Sequence, residues 1–279
     1  MKQYQTKAKK RNGAEYIFNV EEYGSSLELY NANRTREVTP QWKGSHLKDE
    51  NIHKSFYGVD SHEEAVGMLR DGWAQEVGTI SARVEKAATV EMRKRQGFTN
   101  DVVGFAPVVP LAMMNVPNSM LNTVSKPAKS KVVRICYLND DSGSTSPEEF
   151  LERGAKIIEA IIALERSVYR CELYAAQFYC NDCRADTLMV RVKEANQPLD
   201  LKRVMFPLVH PAFERVIGFE WEDKCPTNIY IPARGIPFHR VNDHERMFKE
   251  AFGSEFVYID PSIVDTGAET IMKKLRGEG

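Results

Sequence analysis

The clearest alternation of apolar and polar positions lies between Lys131 and Arg166. The run "VVRICYL" predicts a buried strand. Apolar positions then recur at helical spacing over 147–166, at Phe150, Leu151, Ile157, Ile158, Ile161 and Leu164. "CELYAAQFY" predicts the next strand. A strand, a long helix and a second strand make a βαβ unit, whose strands pair in parallel. "TLMVRV" predicts another strand, hairpin-paired after the turn "CNDCRAD". "VIGFEW" and "EFVYID" predict two more. Helices are expected at 200–207 and 211–216, from the cap Asp243 to Gly253, and over 267–275.

Upstream of Lys131 the pattern is less regular. "EYIFNV" and "SLELYNA" have strand-like periodicity, and Gly24 and Ser25 between them predict a hairpin turn. Ser61 and Glu64 have capping-box spacing and Gly72 stands where a helix would stop, so 62–71 is predicted helical. A second helix is expected over 79–95, with Arg93, Lys94 and Arg95 at its negative end. The stretch 104–121 is apolar but broken by Pro107, Pro110 and Pro117, which forbid a continuous helix. Phe105, Val108, Leu111, Met113 and Met114 are expected to wrap over the core. The alternative is a partner-binding surface formed by the same residues.

Composition changes this picture little. The 279 residues carry a formal net charge of -1, with no global field to draw the chain to nucleic acid or membrane. Lys2, Lys7, Lys9, Lys10 and Arg11 make the first eleven residues basic and predict a solvated arm, with nucleic-acid contact as the weaker reading. No signal peptide and no membrane-spanning run is expected, and the five cysteines suit a reducing cytoplasm. "CNDC" has the spacing of half a zinc site, but no second half accompanies it, so zinc is not expected. His210, between prolines, is expected to be a packed histidine. The arginines around His239 and His244 form a cluster able to grip an anion, or a plain solvated loop. Phosphate loops of the GxxxxGK[ST] or GxGxxG type, a GxSxG elbow and HExxH are all absent from the sequence.

The candidate chemistry sits in "DDSGSTS", Asp140 to Ser146. Its second half is a helix start, with Ser146 as cap, Pro147 at the first helical position and Glu149 completing a capping box. Its first half, an Asp-x-Ser-x-Ser pattern at the carboxyl end of a strand, offers hard oxygen ligands of the kind that suit Mg²⁺. On that strand-to-helix turn the pattern resembles the metal-ion-dependent adhesion site of von Willebrand factor A domains. The resemblance implies Asp140, Ser142 and Ser144 as metal ligands, with Thr187 and Asp223 as counterparts of the later ligands. It also implies a partner protein whose acidic residue completes the coordination, with Asp141 beside it. By analogy alone that partner could be an AAA ATPase.

The implied fold is α/β: a von Willebrand A-like (Rossmann-like), mainly parallel sheet flanked by helices at 129–279, with an N-terminal α+β extension at 1–128 packed on it. A second resemblance covers roughly residues 55–225 and is most specific at "ANQPLDLKRVMFPLVHPAF". It is to an uncharacterised family of bacteriophage and prophage proteins, and implies a cytoplasmic protein of an infected or lysogenic bacterium. The preferred expectation is a non-enzymatic protein-binding or assembly protein that docks a partner through Mg²⁺. The alternatives are a metal-dependent or nucleic-acid-processing enzyme using Asp140 and Asp141, and a purely structural assembly protein.

Overall fold

The computed structural model describes residues 1–38, 52–75, 77–79, 82, 94–104, 106–127, 131–140, 143–166, 169–225 and 237–277, without the side chains of 94–98, 123–127 and 268. Its main sheet contains β1 (Lys2–Lys9), β2 (Glu15–Tyr23), β6 (Lys131–Leu138), β7 (Tyr169–Cys180), β8 (Arg184–Lys193) and β9 (Phe256–Ile259). The six strands run in the order β1-β2-β8-β7-β6-β9. A second sheet is built from β3 (Lys94–Asp101), β4 (Ala106–Pro107) and β5 (Met120–Pro127), in the order β3-β5-β4.

This arrangement overturns the expected von Willebrand A-like sheet. The strands β6 and β7 do pair in parallel across a helical crossover, as the βαβ pattern predicts. At the centre of the sheet, however, β7 and β8 are antiparallel, and so are β1 and β2 at one edge. The reason is local: the three residues between Cys180 and Arg184 can close a hairpin but cannot carry a parallel crossover. The sheet is therefore mixed, not a mainly parallel Rossmann-like one. Strands from both halves of the sequence share it, since β2 pairs with β8.

The helices are α1 (Ser26–Thr35), α2 (Lys54–Tyr57), α3 (His62–Asp71), α4 (Val109–Met113), α5 (Pro147–Glu165), α6 (Leu201–Val209), α7 (Phe219–Lys224), α8 (His244–Phe252), α9 (Pro261–Asp265) and α10 (Ala268–Arg276), with a π-helix at Phe213–Gly218. Three further expectations are corrected. The basic N-terminal residues form β1 instead of a solvated arm. They lie at a sheet edge, where lysines are tolerated, and Thr6 donates to the Ala251 carbonyl at 2.8 Å. "SLELYNA" is helical, because Ser25 caps α1 by accepting the Glu28 N–H at 3.2 Å. "VIGFEW" belongs to the π-helix and α7. Of the helix expected over 79–95, residues 80, 81 and 83–93 lie outside those described, while Lys94 and Arg95 begin β3.

Alternation along the strands sends residues to two cores. One face carries Ile135, Tyr137, Leu173, Ala175, Leu188 and Val190 against α5, α6 and the π-helix. The other carries Phe18, Cys136, Phe178 and Met189 against Phe238 and α8. There Phe178 stacks on Phe238 with ring centroids 4.6 Å apart.

Candidate functional site

The acidic loop leaves the carboxyl end of β6 and enters α5. Its second half is the predicted cap: Ser146 Oγ accepts the Glu149 N–H at 3.3 Å and Glu149 returns an oxygen to the Ser146 N–H at 2.8 Å. In its first half, Asn139 donates to the Pro207 carbonyl at 2.8 Å. Asp140 is buried and accepts the Phe238 N–H at 3.0 Å, on the α8 side of the sheet. Ser144 is exposed, and Asp141 and Ser142 lie outside the described residues.

The later ligands implied by the adhesion-site resemblance do not converge on this loop. Thr187 alternates with Ala185 and Met189 and so faces the α8 side; it pairs with Phe178 of β7, one strand beyond β6. Two strand spacings, about 10 Å, therefore separate β8 from β6, with the Phe178 ring on the same face between them. Asp223 is buried on α7, whose Trp221 belongs to the opposite core. Among the described residues no group of three or more His, Cys, Asp or Glu is placed to hold a metal ion. Of the CxxC pair, Cys180 is buried and Cys183 exposed.

A histidine–aspartate pair stands at the neighbouring strand end. His244 Nε2 lies 2.9 Å from Asp260 Oδ2 and its Nδ1 lies 3.1 Å from the Val241 carbonyl. Both contacts are to oxygens, and together they fix the orientation of the ring. Burial alone would raise the Asp260 carboxyl, but donors from His244, Ser262 and the Ile263 N–H outweigh it and hold it at about 2. The pair fastens the end of β9 to the start of α8.

On the other face, the π-helix, α2, the acidic loop and α5 meet around Arg215. This residue of the π-helix is buried, donates to the Phe56 carbonyl at 2.6 Å and to the Thr145 carbonyl at 2.7 Å, and lies over the Phe56 and Phe150 rings at 4.2 and 4.8 Å. It thereby pins the acidic loop and the α2 turn to the π-helix. Gly218 makes that helix fit: a Cβ there would fall 1.8 Å from Gln177 Oε1 on β7. Beside it, a cleft of about 200 Å³ opens between α3, the start of α5 and the end of α6. His210 and Trp73 line it, with ring centroids 4.7 Å apart. Burial depresses the His210 imidazole to about 4, so it is neutral near pH 7.

The apolar segment is exposed instead of wrapped over the core. Val102, Val103, Val109, Met113 and Met114 are 61, 71, 58, 83 and 65% exposed, while Val108 and Leu111 are half-buried and Phe105 lies outside the described residues. Here α4 sits at the tip of the β3–β5 sheet, between β4 and β5.

Residues 10–256 match the family described as a domain of unknown function, DUF7192. The chain belongs to the DUF7192 family. No curated protein and no solved structure matches it. The DUF7192 match takes in the Arg215 junction, the Trp73–His210 cleft and the exposed arm, and stops before α9 and α10. Among the DUF7192 residues that organise this face, Arg215 and Trp73 carry no motif. Arg215 could have been flagged as a lone cation in the apolar run "VHPAFERVIGF", and Trp73 as an aromatic just past the helix-stopping Gly72.

Proposed function

We propose that this DUF7192 chain is a non-enzymatic docking protein that holds a partner protein through the arm formed by β3, α4, β4 and β5. The phage or prophage setting implied by its sequence resemblance is part of the same reading, with an assembly partner encoded by the phage. The observation that carries it is the row of exposed apolar side chains at 102–116, where Val102, Val103, Val109, Met113, Met114 and Val116 cluster, while Tyr4, Leu27 and Val132 are exposed singly elsewhere. Contiguous exposed apolar surface marks contact sites, and methionine adapts to a partner's shape. Covering Met113 and Met114 would contribute about 1.5–3 kcal/mol each. The arm needs no metal for this.

A photo-crosslinking residue at Met113, expressed with the neighbouring phage proteins, tests the proposal. The expected result is one dominant crosslinked partner, lost in Met113→Asp/Met114→Asp while the circular dichroism spectrum is unchanged. Crosslinking no stronger than from Val132, an exposed position on β6 (58%), would refute it.

A further inference from the structure

We propose that the cleft between Trp73 and His210 binds a neutral, carbonyl-bearing group about the size of one amino-acid side chain. The cleft holds about 200 Å³, smaller than the pockets that take drug-sized ligands. Its walls are mixed: Met68, Leu151, Val209, Pro147 and Pro211 supply apolar surface, and Lys54, Glu64, Gln75 and Glu148 polar groups. Trp73 is nine-tenths buried and forms one wall, with its Nε1–H sealed behind it. His210 Nδ1 accepts the Ala212 N–H at 3.1 Å, which places the ring proton on Nε2, and that nitrogen makes no hydrogen bond among the described residues. That Nε2–H is the donor the cleft offers, and an incoming oxygen would supply its acceptor.

The rim selects the charge of that oxygen. Glu64 and Glu148 face the cleft against the single cation Lys54. Glu64 is already engaged with the Asp60 N–H at 2.9 Å. A carboxylate ligand would meet two like charges and one opposite; a neutral carbonyl meets no such repulsion. Space is also fixed from behind. Gly58 has φ +76°, and a Cβ there would lie 2.9 Å from His210 Cε1.

The carbonyl could belong to a free small molecule or to an amide side chain of a bound peptide. Both are tested on the full-length ¹⁵N-labelled protein, using benzamide for the first and N-acetylglutaminamide for the second, with benzoate as the charged comparator. Trp73 is one of three tryptophans, and its indole signal is assigned by its loss in Trp73→Phe. The expected result is a saturable shift of the Trp73 indole and His210 ring signals with at least one amide, and none with benzoate. Which amide binds identifies the source. His210→Phe keeps a ring in place and removes the Nε2 donor, and is expected to weaken binding about tenfold. If that variant does not fold, the wild-type His210 ring shift is the deciding readout. No shift with either amide overturns the site, and equal or tighter binding of benzoate overturns the neutral selectivity.

Discussion

Glu21 illustrates how much one inward carboxylate can hold. It is buried on β2 and accepts from Trp221 Nε1 at 2.8 Å, Tyr23 at 2.7 Å, Arg36 at 2.7 and 3.0 Å, and Gln3 at 2.6 Å. Burial would raise its carboxyl, but the Arg36, Tyr23 and Trp221 donors prevail and lower it. Glu21→Ala strips these donors of their acceptor and is expected to cost about 3–5 kcal/mol in urea unfolding; a loss under about 1 kcal/mol would mean that water replaces the carboxylate. His210 sets a different sensitivity. Its folded value of about 4 lies below the ordinary 6.5. The unfolded chain therefore binds a proton first as pH falls, and stability drops between pH 6.5 and 4. From pH 7 to 5 the drop should be about 2 kcal/mol, read from urea midpoints and absent in His210→Phe. Asp260 acts lower. Its value is depressed from 3.8 to about 2, so its contribution is full above 3.8 and is lost as pH falls towards 2. Little of this was legible in the sequence. Glu21 sits in "FNVEEY" beside Glu22, and only the strand's phase decides which of the two points inward.

At the scale of elements, legibility followed local chemistry. The caps of α3 and α5 were readable, because a serine and a glutamate three residues apart fix a helix start whatever surrounds it. The strand reading of "VIGFEW" failed because a tertiary contact decides that segment: the π-helix brings Gly218 against Gln177 and Tyr179 of β7. Gly218→Ala should therefore be overpacked and cost about 1–3 kcal/mol in chemical denaturation. Arg215→Lys keeps the charge but loses the planar fork that spans Phe56 and Thr145. We expect the loop around Ser144 to become more susceptible to limited proteolysis in that variant.

For the molecule as a whole, the alternation of strands and helices pointed to α/β, while the sheet's mixed pairing depended on a hairpin and on a long-range partner for β2. The candidate metal site was legible as a pattern; the structure sets Thr187 on β8 and Asp223 on α7. Accordingly, millimolar Mg²⁺ should leave the thermal midpoint unchanged to within about 1 °C; a saturable rise abolished by Asp140→Ala would restore the metal reading. No described helix is long and apolar enough to cross a membrane.

The pairing of β2 with β8 also governs how the chain can be made. Val20 waits for Thr187, so an emerging polypeptide has β1 and β2 in hand long before the strand that completes their sheet. During synthesis that hairpin has one open edge and no core behind it, and at about 5–20 residues per second the delay lasts on the order of ten seconds or more. Closing so long a loop is slow in refolding as well. The nascent chain thus passes through an interval in which an adhesive strand edge is exposed, and holding chaperones should raise its soluble yield more than its final stability.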